Sequence, residues 1–381
     1  MTHDTRLGFD RETLAQRVVF APGAAASRLA DELRRLGGTR VLLVAGSAEA
    51  ELADRLTADL ATRPGAGAGP VVVGVFDAVR PHVPVAVAEA ARATAAETGA
   101  EVLLSVGGGS TTGTAKAVAL TTGLPVLAVP TTYAGSEATP VWGLTEHGRK
   151  RTGVDPVVLP RTVLYDADLT ATLPVGLAAA SGLNALAHAV DALWAPRVDP
   201  VDTVLAGETV RVLAEGLRAL VADPDGPGAP AARDRCLYGA HLSAVVFASA
   251  GSGLHHKVCH VLGGAHDLPH ADTHAVVLPH VLAFNAPAAP EAARRVAEAL
   301  GDRDAVAGLV ALARDLGAPT ALRDLRGPDG TRMREADLAP DAALVAEAAP
   351  PSNPRPVAPA DAEQLLRAAW AGTDPRGDGE R

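Results

Sequence analysis

Four short apolar runs in the first third of the chain constrain its fold more than any other feature. Arg40–Val44 (RVLLV), Val71–Phe76 (VVVGVF), Glu101–Val106 (EVLLSV) and Val126–Val129 (VLAV) are each of strand length. Between and before them lie segments with helical spacing, at Leu29–Leu36, Glu49–Ala61, Val85–Thr98 and Thr114–Thr121. Apolar strands alternating with helices predict a parallel sheet covered on both faces. Strands and Pro/Gly turns continue to about Tyr165. Beyond it the pattern turns helical, at Leu177–Trp194, Val204–Ala222 and Ala231–Ser249, with Ala/Leu spacing suited to helix packing. Residues 223–230 read as a loop inside that second region. A Pro-rich stretch, 349–359, precedes one more helix at Asp361–Ala371, and 375–381 read as frayed. The 381 residues exceed what one core supports. The expected organisation is residues 1–165 as an α/β domain and 166–381 as an all-helical domain.

Composition narrows the possible partners. Aromatics are 3% of the chain, so Ala, Val and Leu must fill the cores. A net charge of −10 weighs against nucleic acid or an anionic membrane surface as partner. The two cysteines, Cys236 and Cys259, cannot build a disulfide framework and suit a reducing cytoplasm. The first twenty residues lack a basic head followed by an apolar run, and no apolar stretch is long enough to span a bilayer. Only three lysines (Lys116, Lys150, Lys257) occur among 34 basic residues. A lysine in so arginine-rich a chain marks a position where the compact ammonium matters.

Gly107-Gly108-Gly109-Ser110 stands between the third strand and the helix that carries Lys116. Three glycines at such a turn let backbone N–H groups approach a diphosphate, and the helix start adds its partial positive charge. The plain alternative is a tight βα turn. The run is not G-x-G-x-x-G, so the standard fingerprint is not implied. Lys116, two turns into the helix, is in reach of a ribose or phosphate. Thr131 and Thr132, in Pro130–Glu137 (PTTYAGSE) after the next strand, suit a second wall of the same crevice.

Seven of the twelve histidines crowd into one short window: His255, His256, His260, His266, His270, His274 and His280. His256 and His260 are four apart and share a helix face. Gly263-Gly264 is expected to break that helix, leaving His270 in a loop. Asn184 and His188, also four apart, lie in SGLNALAHAVDALW. Such a set could hold a divalent metal or form a proton-donating pocket. Asn184 is neutral, a poorer ligand than a carboxylate. Imidazoles that merely satisfy buried hydrogen bonds are the bland alternative.

GGGS (107–110) with Lys116, the SGLNALAHAVDAL helix and HHKVCHVLGGAHDLPHADTHAVVLPH resemble the iron-containing (group III) alcohol dehydrogenase superfamily. PHVP (81–84), GGGSTTGTAK (107–116), PTTYAGSEATPVWG (130–143), SGLNALAHAV (181–190), the HHK at 255–257 and PSNPRPV (351–357) are more particular to its maleylacetate reductase branch. The resemblance covers essentially the whole chain. It implies a Rossmann-like, dinucleotide-binding α/β domain and a C-terminal all-helical domain, the dehydroquinate synthase-like fold, with the active site in the cleft between them. It also implies a homodimer. The wider superfamily holds metal with Asp and three His; the matching positions here are Asn184, His188, His256 and His270, with His260 beside the substrate. The missing Asp, and Gly113 where that superfamily has a second Asp, depart in the direction of the reductase branch.

The implied reaction is NAD(P)H-dependent reduction of the C=C bond of maleylacetate to 3-oxoadipate, in aromatic compound degradation. His256, His260 and His270 are expected to donate and relay protons, since imidazole titrates near neutral pH. The enone acceptor is activated, so the expectation is a pocket without metal. The two carboxylates of the substrate call for Lys257 and Arg355, and Tyr133 is expected to donate from the opposite wall. Rival readings are a metal-dependent alcohol or aldehyde oxidoreductase, and a sibling reducing another unsaturated keto acid in biosynthesis. The turn Ala45-Gly46-Ser47 carries no carboxylate, and Glu49 belongs to the next helix, so NADH and NADPH are not separated.

Overall fold

The computed structural model describes residues 8–58, 60, 69–146 and 149–376, without the side chains of 149 and 150. Packing groups them into two compact units. One comprises 15–185 and 215–244, the other 186–214 and 245–376 with the segment up to Leu14. This differs from a single boundary at 165, because three long helices contribute residues to both units.

The α/β unit runs β1 (Arg17–Phe20), α1 (Ala24–Arg35), β2 (Arg40–Ala45), α2 (Ala50–Thr57), β3 (Val71–Phe76), α3 (Val85–Glu97), β4 (Val102–Gly107), α4 (Gly109–Thr122) and β5 (Val126–Pro130). A hairpin of β6 (Val141–Glu146) and β7 (Arg149–Val154) and then β8 (Thr162–Tyr165) complete it. The strand expectations hold within one residue, while α4 begins five residues earlier than read. The end of the second expected helix, at Ala61, and the tail 377–381 lie outside the described residues.

The six-stranded sheet has the order β1-β8-β5-β4-β2-β3, with all neighbours parallel. Its two cores follow from the period of two along a strand. Val41, Leu43, Val102, Leu104 and Val106 pack with Leu29, Leu33, Ala53 and Leu56 of α1 and α2. Leu42, Val44, Leu103 and Val126 pack with Ala91, Ala95, Ala115 and Val118 of α3 and α4. From β2 the chain moves outward to β3, and from β4 it moves the other way to β5. The turns after β2 and β4 therefore flank a topological switch point, where open α/β sheets bind ligands.

The shared helices are α5 (Val175–Ala192), α6 (Pro200–Ala222) and α7 (Ala229–Ala250). The helical unit continues with α8 (Leu254–His266), α9 (His270–Asn285), α10 (Pro290–Leu300), α11 (Ala305–Asp315), α12 (Leu338–Ala348) and α13 (Pro359–Ala371). Its core joins α8, α9, α12 and α13 through Val258, Leu262, Val277, Leu338, Val345 and Leu366. Arg11 is tied to Asp199 and Asp202 of this unit, at 2.8 and 2.7 Å.

Two local expectations are corrected. Gly263-Gly264 does not break α8, which continues to His266 and ends where Asp267 turns left-handed at φ 49°. Glycine weakens a helix by about 1 kcal/mol relative to alanine, and the core contacts of Val258 and Leu262 outweigh that. His270 is not in a loop: it is the first residue of α9, directly after Pro269. No single helix among the described residues is long and apolar enough to cross a membrane.

Candidate active site

In the α/β unit, the triple-glycine turn is packed so closely that side chains would not fit. At Gly107, φ is +149° and a Cβ would lie 2.6 Å from Thr111 Oγ1. At Gly108 it would meet Thr132 Cγ2 at 3.0 Å, and at Gly109 Ala134 Cβ at 3.1 Å. The Thr131 N–H donates to Gly107 O (3.2 Å), so the two loops form one surface. No side chain caps α4, which leaves its start open to an anion. Gly113 is filled from outside: a Cβ there would come within 2.9 Å of Val83 Cγ2. Val83 is buried with its backbone at φ +48°, beside His82 at +62°. A β-branched residue rarely adopts that conformation.

Glu49, set aside in the sequence because it follows the turn, folds back over it. Its Oε2 lies 3.2 Å from where a Gly46 Cβ would stand. The carboxyl is half-buried and burial raises its pKa. A carboxylate therefore does lie at the end of β2.

Two residues expected at the ligand are turned inward. Lys116 is wholly buried, and its ammonium donates to Ser136 O (2.5 Å), Thr139 O (2.7 Å), Thr139 Oγ1 (3.1 Å) and Val141 O (2.9 Å). Burial pulls its pKa down to about 7, against the attraction of Glu137. Its ammonium holds the loop that follows β5 instead of reaching a phosphate. Tyr133 is also fully buried, its hydroxyl 3.4 Å from Thr170 Oγ1. Burial raises the pKa of that hydroxyl, and it does not line an open wall. Nearby, the Tyr165 hydroxyl donates to Glu137 Oε1 (2.9 Å) and lies 3.2 Å from His241 Nδ1.

The helical unit gathers the histidines. The His188 and His256 rings stack with centroids 4.8 Å apart, and Phe247 packs at 4.7 Å from His188 and 5.2 Å from His256. His274 lies 5.1 Å from His256 and 4.3 Å from His270, while His260 is 6.4 Å from His256. His255 Nε2 and His274 Nδ1 share a hydrogen bond of 2.9 Å, with Cys259 Sγ 3.7 Å from the former. Those three donor atoms converge, but the hydrogen bond already occupies both nitrogens. Burial pushes His188, His255, His256 and His274 well below the usual imidazole pKa, helped by the charge of neighbouring histidines, so all four are neutral. His260 and His270 are exposed. Buried and without a hydrogen-bond partner among the described residues are His255 Nδ1, His256 Nε2, His274 Nε2 and, on α5, Asn184 Oδ1.

One residue escaped the sequence reading. Asp191 follows His188 by three residues on α5, so it shares that helix face. It is fully buried and lies 2.8 Å from His256 Nδ1. The 184/188/191 spacing was the available signal; the partner, from α8, was not visible without the fold.

Lys257 is half-buried on α8, three residues before His260. Its charge helps lower the His256 pKa. Arg355 is elsewhere. Its guanidinium covers the Phe284 ring at 3.9 Å and pairs with Asp361 at 3.0 Å. Phe284 is fourteen residues beyond His270 on α9, roughly 20 Å along the helix. Reciprocal amide bonds of Asn285 and Asn353 (3.0 and 2.9 Å) hold the arginine's loop at that far end. Arg355 is thereby removed from the histidine cluster.

Two family models match the chain. Iron-containing alcohol dehydrogenase spans residues 15–167, and the C-terminal model of the Fe-containing alcohol dehydrogenase family spans 178–370. A maleylacetate reductase of Sphingobium indicum is 45% identical over 368 residues, 96% of this chain and 99% of that protein. The structure of an iron-containing alcohol dehydrogenase from Corynebacterium glutamicum superposes with a TM-score of 0.89 at 48% identity, over 98% of this chain and 99% of the other. That of a maleylacetate reductase from Agrobacterium tumefaciens gives 0.88 at 40% identity, over 97% and 100%.

Proposed function

The chain belongs to the iron-containing alcohol dehydrogenase family, and from that premise we propose that it reduces maleylacetate to 3-oxoadipate with NAD(P)H during aromatic compound degradation. The observation that carries the reading is 45% identity over nearly the full length to a maleylacetate reductase, in a chain whose helical unit gathers six imidazoles, one of them bonded to a buried carboxylate.

The reduced dinucleotide supplies the hydride. The α/β unit binds it through the open start of α4, the Gly107–Ser110 backbone and the Thr131–Thr132 wall. Glu49 at the end of β2 suits a ribose 2′-hydroxyl and repels a 2′-phosphate, which favours NADH. Lys116 acts on this site indirectly, by fixing the loop after β5.

Hydride arriving at the alkene carbon β to the ketone leaves negative charge on the ketone oxygen, and a proton must reach the α carbon. His260 and His270, exposed at the edge of the cluster, serve as donors to that oxygen and carbon. Lys257 holds one substrate carboxylate. His256 is neutral, and with Nδ1 directed at Asp191 its Nε2 accepts.

The expectation of a metal-free pocket draws no support from a family named for iron. The donor set fits a cation: the two buried atoms His256 Nε2 and Asn184 Oδ1 both lack partners. A carboxylate behind a histidine is a common arrangement for a metal ligand. With an ion bound, Asn184, His188, His256 and His270 would hold it and donation would fall to His260 alone; the ion would supply Lewis-acid polarisation of the ketone oxygen.

The test is oxidation of NADH and NADPH with freshly generated maleylacetate, with and without chelator, alongside elemental analysis of the protein. The expected result is turnover with a higher kcat/KM for NADH. No turnover of maleylacetate, with reduction of simple aldehydes instead, would overturn the reading.

A further inference from the structure

Asp191 is a buried carboxylate surrounded by N–H groups. Gly253 N (2.7 Å), His255 N (3.1 Å) and His256 N (3.4 Å) at the start of α8 donate to it, as does Trp194 Nε1 (3.0 Å). Each of these groups can only donate. A carboxylate facing four fixed donors is an acceptor, so its remaining contact, His256 Nδ1 at 2.8 Å, is a fifth N–H donation. That assigns the tautomer. The ring proton of His256 sits on Nδ1, and Nε2 carries a bare lone pair, buried and without a partner among the described residues. The arrangement needs the glycine at 253, where a Cβ would stand 2.5 Å from Asp191 Oδ1.

We propose that Asp191 is the positioning residue of the reaction centre, fixing His256 in the Nδ1–H form with its Nε2 lone pair turned away from the carboxylate. In this form His256 accepts a proton or binds a cation through Nε2, and donation to the substrate falls to His260, joined by His270 when no cation is held. The inference rests on reading the histidine cluster as the reaction centre, yet the tautomer itself is measured without substrate.

Protein labelled with 15N at histidine, of measured metal content, would be examined by NMR, the His256 signal being assigned by its loss in His256→Gln. The expected signature is a protonated Nδ1 and a bare Nε2. In Asp191→Asn, whose amide can donate to Nδ1, the ring should move wholly or partly to the Nε2–H form. Its kcat should fall by about 10–100-fold, with KM for the dinucleotide within about twofold of the parent's. A native His256 protonated at Nε2 would overturn the proposal. So would an Asp191→Asn protein with kcat unchanged, or one that loses activity while the tautomer stays put, which would mark a merely structural role. Should Asp191→Asn fail to fold, the tautomer of the unsubstituted protein decides alone. Failure of maleylacetate as substrate would leave that measurement standing, so the two readings fail separately.

Discussion

Each unit buries a group of titratable side chains, and the two groups are treated in opposite ways. In the α/β unit, Lys116 spends its ammonium on four oxygens, and Glu137, Tyr165 and His241 join in one hydrogen-bonded set. In the helical unit, His255 Nδ1, His256 Nε2 and His274 Nε2 are just as buried and lack partners. An unsatisfied buried polar atom costs about 1–3 kcal/mol. A fold that tolerates three of them in one cluster holds them for something other than its own stability. Burial and a shifted pKa are common to both groups. What separates structure from site is whether the hydrogen bonds close.

The largest effect that could break this contrast is at His256. His256→Asn should lower kcat by roughly 10²–10⁴, the range for loss of a group engaged in proton transfer. The melting temperature should fall only by the lost ring packing on His188 and Phe247, because Nε2 has no bond to lose and the amide can still donate to Asp191. Steady-state kinetics and a thermal melt on one preparation check both halves. Turnover within about threefold of the parent would place His256 with the structural groups.

Lys116→Met should behave in the reverse sense. It keeps the length of the chain and abandons four acceptors around a buried point, so a loss of about 2–4 kcal/mol in unfolding free energy is expected. Urea denaturation measures it. If stability held within about 0.5 kcal/mol while dinucleotide affinity collapsed, the lysine would belong to the binding site after all.

How much of this was readable beforehand divides along the same line. The parallel sheet was legible because Leu42, Leu43, Leu103 and Leu104 sit in runs apolar on both faces, a pattern that few other folds produce. The histidines were legible because their density is visible in one dimension. Lys116, Tyr133 and Arg355 were misplaced for one shared reason: residue type announces chemistry but not direction. Each was assigned to a ligand, and each bonds instead to its own unit, to a backbone loop, to Thr170 and to Asp361. Asp191 was missed, and Glu49 set aside, for the complementary reason. Their roles depend on α8 meeting α5 and on a side chain folding back over Gly46. The continuous α8 through Gly263-Gly264 likewise reflects tertiary packing that a helix propensity does not contain.

A smaller effect tests the cost of burying imidazole in either unit. His241 in the α/β unit and His280 in the helical unit are both pulled down to about 4 by burial. A folded pKa below the unfolded one means that the unfolded chain binds more protons between them. Stability is then full above about pH 6.5 and falls as pH drops towards 4, by at most about 1.4 kcal/mol per unit for each histidine. Allowing for their partial exposure, the pair should remove about 2–3 kcal/mol between pH 6.5 and 5. Urea midpoints across that range measure the slope, and a His241→Gln/His280→Gln double variant should lower it by the share of these two, leaving that of the buried cluster histidines. An unchanged slope would assign all of the acid sensitivity to the cluster histidines and other groups.

The smallest effect sharpens the contrast from outside both clusters. Arg355 has the right charge for a dicarboxylate, but its guanidinium is committed to the Phe284 face and to Asp361. An exposed ion pair and a half-exposed cation–π contact are each worth about 0.5–1 kcal/mol or less. Arg355→Ala should therefore cost about 1 kcal/mol of stability and leave KM for maleylacetate within about twofold. Lys257→Ala, measured beside it, should raise that KM by far more, since Lys257 shares α8 with His256 and His260. If the order of the two were reversed, charge alone would have located the substrate better than geometry, and α9 would have to present its far end to the reaction.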